Sequence, residues 1–207
     1  MKTRNAYGLV AAAAITFMSP AFAVPFTEVG DAGDLVATAQ QLGPGTTQID
    51  GILDRRDADL FGFYWGGGSL TIDTVGSTFD TQLFLFDAVG NGIWGNDDAI
   101  AFAGAAAIVD PALAAGSYLI GISGFNHDPN DASGSVMFQS FPFEPQYGPN
   151  PGVGPLAQWS GFGGGGDYQI NFSSPVGPAP VAEPGTLALL GLGLLGLAAS
   201  RRRRLSA

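Results

Sequence analysis

The sequence predicts an all-β protein built as a two-sheet antiparallel β-sandwich of the jelly-roll type. Apolar and polar residues alternate with a period of two, which is the pattern of strands with one buried face. The 32 glycines and 14 prolines disfavour helix interiors and favour turns. Hydrophobic residues make up 46% of 207 residues, enough to bury a core. Because a single sheet would leave its apolar face in water, two packed sheets are expected.

The predicted strands are short segments separated by glycine-containing turns. Glycine is expected in these turns because tight hairpins need positive φ angles. The alternation predicts strands at 47–53, 59–65, 69–73, 82–87, 117–122, 135–141 and 168–172.

An insertion rich in proline and glycine, residues 142–166, precedes the last predicted strand. Its composition does not suit a central strand, so it is predicted to be a long loop. Its aromatic residues Tyr147, Trp159 and Phe162 have two possible roles. They form a surface that binds a glycan or protein partner, or they cover one edge of the sandwich.

The N-terminus has the pattern of a secretory signal peptide. Lys2 and Arg4 precede a short apolar segment, residues 9–18. Ala21 and Ala23 then supply the small side chains that signal peptidase requires. Residues 1–23 are therefore predicted to be a signal helix that is removed after export.

The C-terminus has the pattern of a membrane segment followed by a cytoplasmic stop. Residues 184–200 carry no charge, and about 17 residues is the shortest helix that spans a bilayer. Arg201, Arg202, Arg203 and Arg204 follow directly and would stay on the cytoplasmic side. The simplest prediction is a single transmembrane helix that anchors the chain.

A sharper interpretation follows from the residues before that helix. Ala182, Glu183, Pro184 and Gly185, followed by a glycine-leucine helix and the arginines, resemble the PEP-CTERM sorting signal of Gram-negative exported proteins. Ala182 stands where that family has its first proline. The resemblance implies that residues 183–207 are recognised and cleaved by an exosortase, after a linker at 176–182. The precursor would be held in the membrane and its product delivered to the cell surface or beyond.

The segment between these signals resembles the bacterial pre-peptidase C-terminal domain, a β-sandwich module of secreted peptidases. The resemblance is carried by residues 34–39, 49–61, 79–90, 96–99 and 113–122. It implies one sandwich domain over 24–175.

The charge of the middle segment bears on its partners. Without the two terminal signals the chain keeps 17 acidic residues and only Arg55 and Arg56, a formal charge of −15. Binding to nucleic acid depends on clustered lysine and arginine, so nucleic acid is excluded as a partner. The carboxylates keep an exported domain soluble and are ligands that calcium prefers.

Calcium is accordingly the one cofactor that the sequence suggests, although none is required. Asp87, Asn91, Asp97 and Asp98 lie within twelve residues around a Gly-Asn-Gly turn. They do not form an EF-hand, because the third position holds valine and no glutamate closes the loop. The hypothesis is a calcium site in a sandwich loop, joined by Asp57, Asp59 or Asp80. The alternative is a set of solvated turn residues.

An enzyme is not expected. His127 is the sole histidine and lies in a polar stretch predicted to be an exposed loop, and no nucleophile elbow occurs. Adjacent Asp97 and Asp98 would point to opposite sides of a strand. The expected function is a non-enzymatic surface or matrix protein that binds polysaccharide or a protein. The alternatives are a structural envelope protein with a permanent anchor and an accessory domain of a peptidase system.

Overall fold

The computed structural model describes residues 24–99, 104–139, 141–142, 146–180 and 191–194. In this part of the chain there are twelve strands, and residues 191–194 form one helical turn. The strands are β1 (Val24–Thr27), β2 (Gln40–Gln41), β3 (Thr46–Leu53), β4 (Ala58–Trp65), β5 (Gly68–Asp73), β6 (Thr81–Asp87), β7 (Gly92–Asn96), β8 (Ala107–Leu113), β9 (Gly116–Gly124), β10 (His127–Asp131), β11 (Leu156–Gly161) and β12 (Gly166–Val176).

Two five-stranded sheets form the predicted sandwich. The first sheet has the order β1-β3-β12-β5-β8 and the second has the order β2-β4-β9-β6-β7. Pairing is antiparallel except for β1 with β3 and β2 with β4, the two short strands at one side, which pair in parallel. The prediction of a β-sandwich is confirmed, and strictly antiparallel pairing is corrected at these two edges.

The inner core lies between the two sheets and follows from the alternation in the sequence. Ile49 and Ile170 of the first sheet and Phe61 and Ile120 of the second are fully buried there. The ring of Phe61 packs edge-on against Tyr168 at 6.5 Å between centroids. Since every second residue of a strand points to the same face, these side chains form one apolar layer.

A second apolar layer covers the outer face of the second sheet. The central strands β4 and β6 are buried on nearly every residue, so both of their faces are covered. The outer cluster consists of Leu60, Phe84, Phe86, Leu119, Met137, Phe138 and Leu156, with Trp159 packed against it. The molecule is therefore a sandwich with a third layer over one sheet.

The third layer comes largely from the insertion, which is more ordered than a loop. Residues 156–161 form β11, which pairs antiparallel with β10 in a separate two-stranded sheet. The predicted strand at 135–141 is wrong. In the described part of that segment only isolated bridges occur, from Val136 to Asn130 and from Phe138 to Pro149. The apolar residues Met137 and Phe138, which suggested a strand, are buried in the outer cluster under the third layer.

The insertion also closes one side of the sandwich, which is one of the two alternatives that the sequence left open. The side-chain amide of Gln146 donates to the Val109 carbonyl of β8 at 3.0 Å, and its Oε1 accepts from the Val109 N–H at 2.8 Å. The main chain of Tyr147 pairs with Gly95 of β7 in both directions. One short segment therefore caps the edge strands of both sheets.

β12 gives the sandwich two distinct ends. Gly166 lies opposite Leu53 and Val176 lies opposite Thr46, at the two ends of this strand of 11 residues. After β12, Gly177 bridges to Tyr64. The end where the chain leaves the sandwich is called the tail end, and the end around Gly166 is called the far end.

The terminal signals lie outside the described residues. These are the signal-peptide cleavage residues Ala21 and Ala23, the sorting residues 182–185 and the arginines 201–204. In the described ranges, no helix has the length and apolar character needed to cross a membrane.

Candidate functional site

The far end of the sandwich collects most of the candidate polar residues. The strand β7 ends there, while β4, β6 and β10 begin there. The end of β9 marks this position, because Gly124 lies opposite Thr81 of β6 and Ser123 lies opposite Ala58 of β4. The turns and strand ends at this end carry many carboxylates. They belong to Glu28, Asp31, Asp54, Asp57, Asp59, Asp80, Asp97, Asp98 and Asp128.

Asp97 is the most unusual of these groups. It follows β7 directly and is only 4% exposed. Neither of its carboxylate oxygens accepts a hydrogen bond from the described part of the chain. Burial raises the pKa of Asp97 to about 7, and the nearby charges of Asp80, Asp98 and Asp128 act in the same direction.

Asp97 and Asp128 line the same small cavity of about 10 Å³. Gln82 Nε2 donates to Asp128 Oδ1 at 3.2 Å, while Gln82 Oε1 accepts from the main-chain N–H of His127 at 3.2 Å. These two bonds fix the Gln82 amide and, through it, the orientation of Asp128. Burial raises the pKa of Asp128 as well. The rings of Phe84 and Phe138 form the apolar part of the lining.

Two further carboxylates stand beside this cavity. Asp98 Oδ1 accepts from the Gly104 N–H at 3.1 Å, which ties down the turn after β7. Asp80 lies close enough that its pKa is raised, first by burial and then by the charge of Asp98. Asp97 and Asp98 therefore differ in role, since one anchors a turn and the other is buried without a partner.

A second carboxylate cluster lies on the other side of the far end. One oxygen from each of Glu28, Asp31 and Asp59 falls within 4.8 Å of the others, a spacing that could hold a cation. The Tyr168 hydroxyl lies 2.8 Å from Asp59 Oδ2 and 3.3 Å from Glu28 Oε2. Burial raises the pKa of Asp59 to about 8, and the Tyr168 hydrogen bond only partly offsets it. Burial also raises the pKa of Tyr168, which keeps its proton for this bond.

The four-residue calcium site suggested by the sequence is not assembled. Asp87 Oδ1 accepts from the N–H groups of Val89 and Asn91, and Asp87 Oδ2 accepts from Asn91 Nδ2 at 2.7 Å. Burial raises the pKa of Asp87, but these hydrogen bonds outweigh it and lower the pKa. Asp87 and Asn91 close the turn at the tail end of β7, and Asp97 lies six residues further, about 20 Å along an extended strand. They cannot share one ion with Asp97 and Asp98.

The prediction that His127 lies in an exposed loop is wrong. His127 is the first residue of β10 and is buried, with its ring stacked on Trp159 at 5.8 Å between centroids. Burial lowers its pKa. The nearby Ser123 hydroxyl donates to the main-chain carbonyl of His127 at 2.7 Å. This contact fixes a turn and does not pair a nucleophile with a base.

The three aromatic residues of the insertion have different surroundings. Trp159 packs edge-on against Phe84 and its indole N–H donates to the Asp34 carbonyl at 2.7 Å. The Tyr147 hydroxyl donates to the Pro142 carbonyl at 2.9 Å. Phe162 is 67% exposed, and the Arg56 guanidinium lies 4.5 Å from the centre of its ring. Of the three, Phe162 is the one whose ring is largely open to solvent.

Gln82 and Asp128, which line the cavity together with Asp97, were not predicted to be site residues. Asp128 follows His127 in the polar stretch that was predicted to be an exposed loop, and Gln82 begins the predicted strand at 82–87. The sequence offered one signal, a glutamine at position 82 next to a continuous apolar run. If such a glutamine is buried, its amide must have hydrogen-bond partners nearby. In the structure Gln82 is 2% exposed.

Comparison with known families identifies the C-terminal segment. Residues 180–204 match the PEP-CTERM protein-sorting motif. Such a motif marks an exported protein that an exosortase processes at the membrane of a Gram-negative bacterium. No family match supports the resemblance of residues 24–175 to the pre-peptidase C-terminal domain. No curated protein sequence matches the chain significantly.

Proposed function

We propose that the chain is the precursor of a non-enzymatic surface protein, whose sandwich is exported and then delivered by exosortase processing. The observation that carries this proposal is the position of the sorting motif. The motif begins at residue 180, and the last strand ends at Val176. Only a short linker separates the folded part from the processed segment, so the tail end of the sandwich faces the membrane in the precursor.

This arrangement gives the displayed sandwich a direction. β12 runs from the far end, where Gly166 lies opposite Leu53, to the tail end, where Val176 lies opposite Thr46. The eight residues of β3 that separate these two ends extend over about 24 Å. The far end, with its carboxylates and with Phe162, is thus presented away from the membrane. At the cell surface or in an extracellular polymer, the far end is the part of the sandwich that would contact partners.

The surroundings of Ser123 and His127 support the proposal of a non-enzymatic role. A hydrolase would need such residues as nucleophile and general base. Ser123 is hydrogen-bonded to a main-chain carbonyl, and His127 is covered by Trp159. A general base must lie within hydrogen-bonding reach of the proton it removes. His127 is instead held in a packed aromatic layer.

Processing of the tail is the first testable prediction. Intact-mass spectrometry of protein recovered from the cell surface is expected to show a chain that begins at Val24 and ends near Glu183. Replacing Arg201 to Arg204 with alanine should leave uncut or misdirected precursor, because the cytoplasmic stop is lost. The matched control is replacement of Arg55 and Arg56 by alanine, which removes positive charge from the sandwich alone.

The mass of the mature product decides between the proposal and its main alternative. A surface product that still carries residues 186–204 would mean that the tail is a permanent anchor. The same uncut product is expected in cells that lack exosortase activity, where it serves as the reference mass.

One observation favours a second function, the binding of polysaccharide. Phe162 presents an exposed ring beside Arg56 at the far end, and such rings stack on apolar ligand faces. Phe162→Ala is expected to lower glycan binding by tenfold or more on an array. Phe141→Ala is the matched control, because Phe141 is 69% exposed and lies just before the insertion. Equal binding by both variants, or no binding by the parent protein, would exclude this surface.

A further inference from the structure

The starting observation is the buried carboxylate of Asp97. It is 96% withdrawn from solvent, and neither oxygen has a hydrogen-bond partner among the described residues. Buried polar groups in proteins are almost always paired, and a buried charge is paired or bound to a metal. The Asp97 carboxylate therefore needs a positive partner that the described chain does not supply.

The two arginines of the sandwich do not serve as that partner. Arg55 and Arg56 are exposed in the turn before β4. The Arg56 guanidinium stacks on the ring of Phe162. The sequence from Val24 to Ala182 contains no lysine. In a processed product without Arg201 to Arg204, a proton or an ion in solution would supply the missing positive charge.

We propose that the cavity between Asp97 and Asp128 binds one divalent cation, and that the physiological ion is calcium. Its volume of about 10 Å³ suits a single small occupant, since about that much space holds one water molecule. The polar lining consists of Asp97, Asp128, Gln82, Asn96 and Gln139. The amide oxygens of Gln82 and Asn96 already accept main-chain N–H groups, so the ligands proposed for the ion are the carboxylates of Asp97 and Asp128. Oxygen ligands of this kind select hard cations such as calcium and magnesium.

The surroundings of the cavity favour a cation in two further ways. Asp80 and Asp98 add negative charge beside Asp97, which attracts positive ions from the medium. Gln82 holds Asp128 in place through its amide, so this ligand is oriented before the ion arrives. The site joins β6, the end of β7 and β10. An ion there would link the second sheet to the third layer.

The test uses residues 24–180, which contain all twelve strands and both apolar clusters. Thermal unfolding is measured at pH 8 in chelator and with calcium in excess. The melting temperature of the parent protein is expected to rise by several degrees, because binding to the folded state alone stabilises it. Asp97→Asn and Asp128→Asn keep the side-chain shape and should both lose this rise. Asp167→Asn, which removes an exposed far-end carboxylate, should keep it.

A second measurement separates an ion from a proton. In chelator at pH 8, Asp97→Asn should melt higher than the parent protein, because it removes an unpaired buried charge. Calorimetric titration with calcium should show one binding site fewer in Asp97→Asn than in Asp167→Asn. If the parent protein and Asp97→Asn respond equally to calcium, or neither responds, the cavity does not bind the ion and Asp97 is neutralised by a proton.

Discussion

Replacing Trp159 with alanine is expected to lower the free energy of unfolding of residues 24–180 by about 3 kcal/mol, the lower end for removal of a large aromatic side chain. The indole packs on Phe84 and His127 and hydrogen-bonds to the Asp34 carbonyl. Its loss would open a cavity under the third layer. Denaturant unfolding monitored by circular dichroism measures the effect.

Phe162→Ala is the matched control for this change. Phe162 belongs to the same insertion but is 67% exposed, so its loss should change the unfolding free energy by less than about 0.5 kcal/mol. If Trp159→Ala leaves stability unchanged and abolishes binding of a glycan, Trp159 belongs to a ligand site and its packing role is wrong.

The stability of residues 24–180 in chelator is expected to decrease as pH rises from about 4 to 8. Burial raises the pKa of Asp59 to about 8 in the folded protein, compared with about 3.9 in an unfolded chain. The folded state therefore holds a proton that the unfolded state has released. One such group lowers stability by about 1.4 kcal/mol per pH unit between these two pKa values.

The sign of the effect follows from the direction of the pKa shift. A raised carboxyl pKa stabilises the folded state at low pH, and this stabilisation is lost as pH passes through the folded-state pKa. Asp59→Asn should make the unfolding free energy less dependent on pH, whereas Asp167→Asn at an exposed position should not. Stability that rises steadily from pH 4 to pH 8, with no difference between the two variants, would contradict the prediction.

The strands that were predicted correctly have side chains that are buried on one face of the strand or on both faces. Six of the seven predicted segments correspond to β3, β4, β5, β6, β9 and β12. The strand β10 has the sequence HDPND, which has the composition of a loop, and it is a strand because β11 pairs with it. Propensity alone cannot indicate such a strand, since the partner lies about thirty residues later in a segment rich in proline and glycine.

The candidate site was predicted in part, and the error has a physical cause. Asp97 was identified from its crowding with Asp87 and Asn91, which are near it in sequence. An extended strand separates these residues in space, whereas β10 brings Asp128 to the same cavity. Local sequence therefore identified one residue of the cavity, whereas pairing between strands that are distant in sequence brought in the others.

The capping of β7 and β8 has a consequence for a protein crowded on a surface. An open sheet edge is a template on which a neighbouring copy can add a strand, and such addition propagates into fibrils. The Gln146 amide occupies the N–H and carbonyl of Val109, and Tyr147 occupies those of Gly95. On the opposite side, β2 has two residues and β1 contains Pro25, so both edges there are short or lack a donor. For the proposed surface protein, we therefore expect densely packed copies to remain separate molecules and not to polymerise edge to edge.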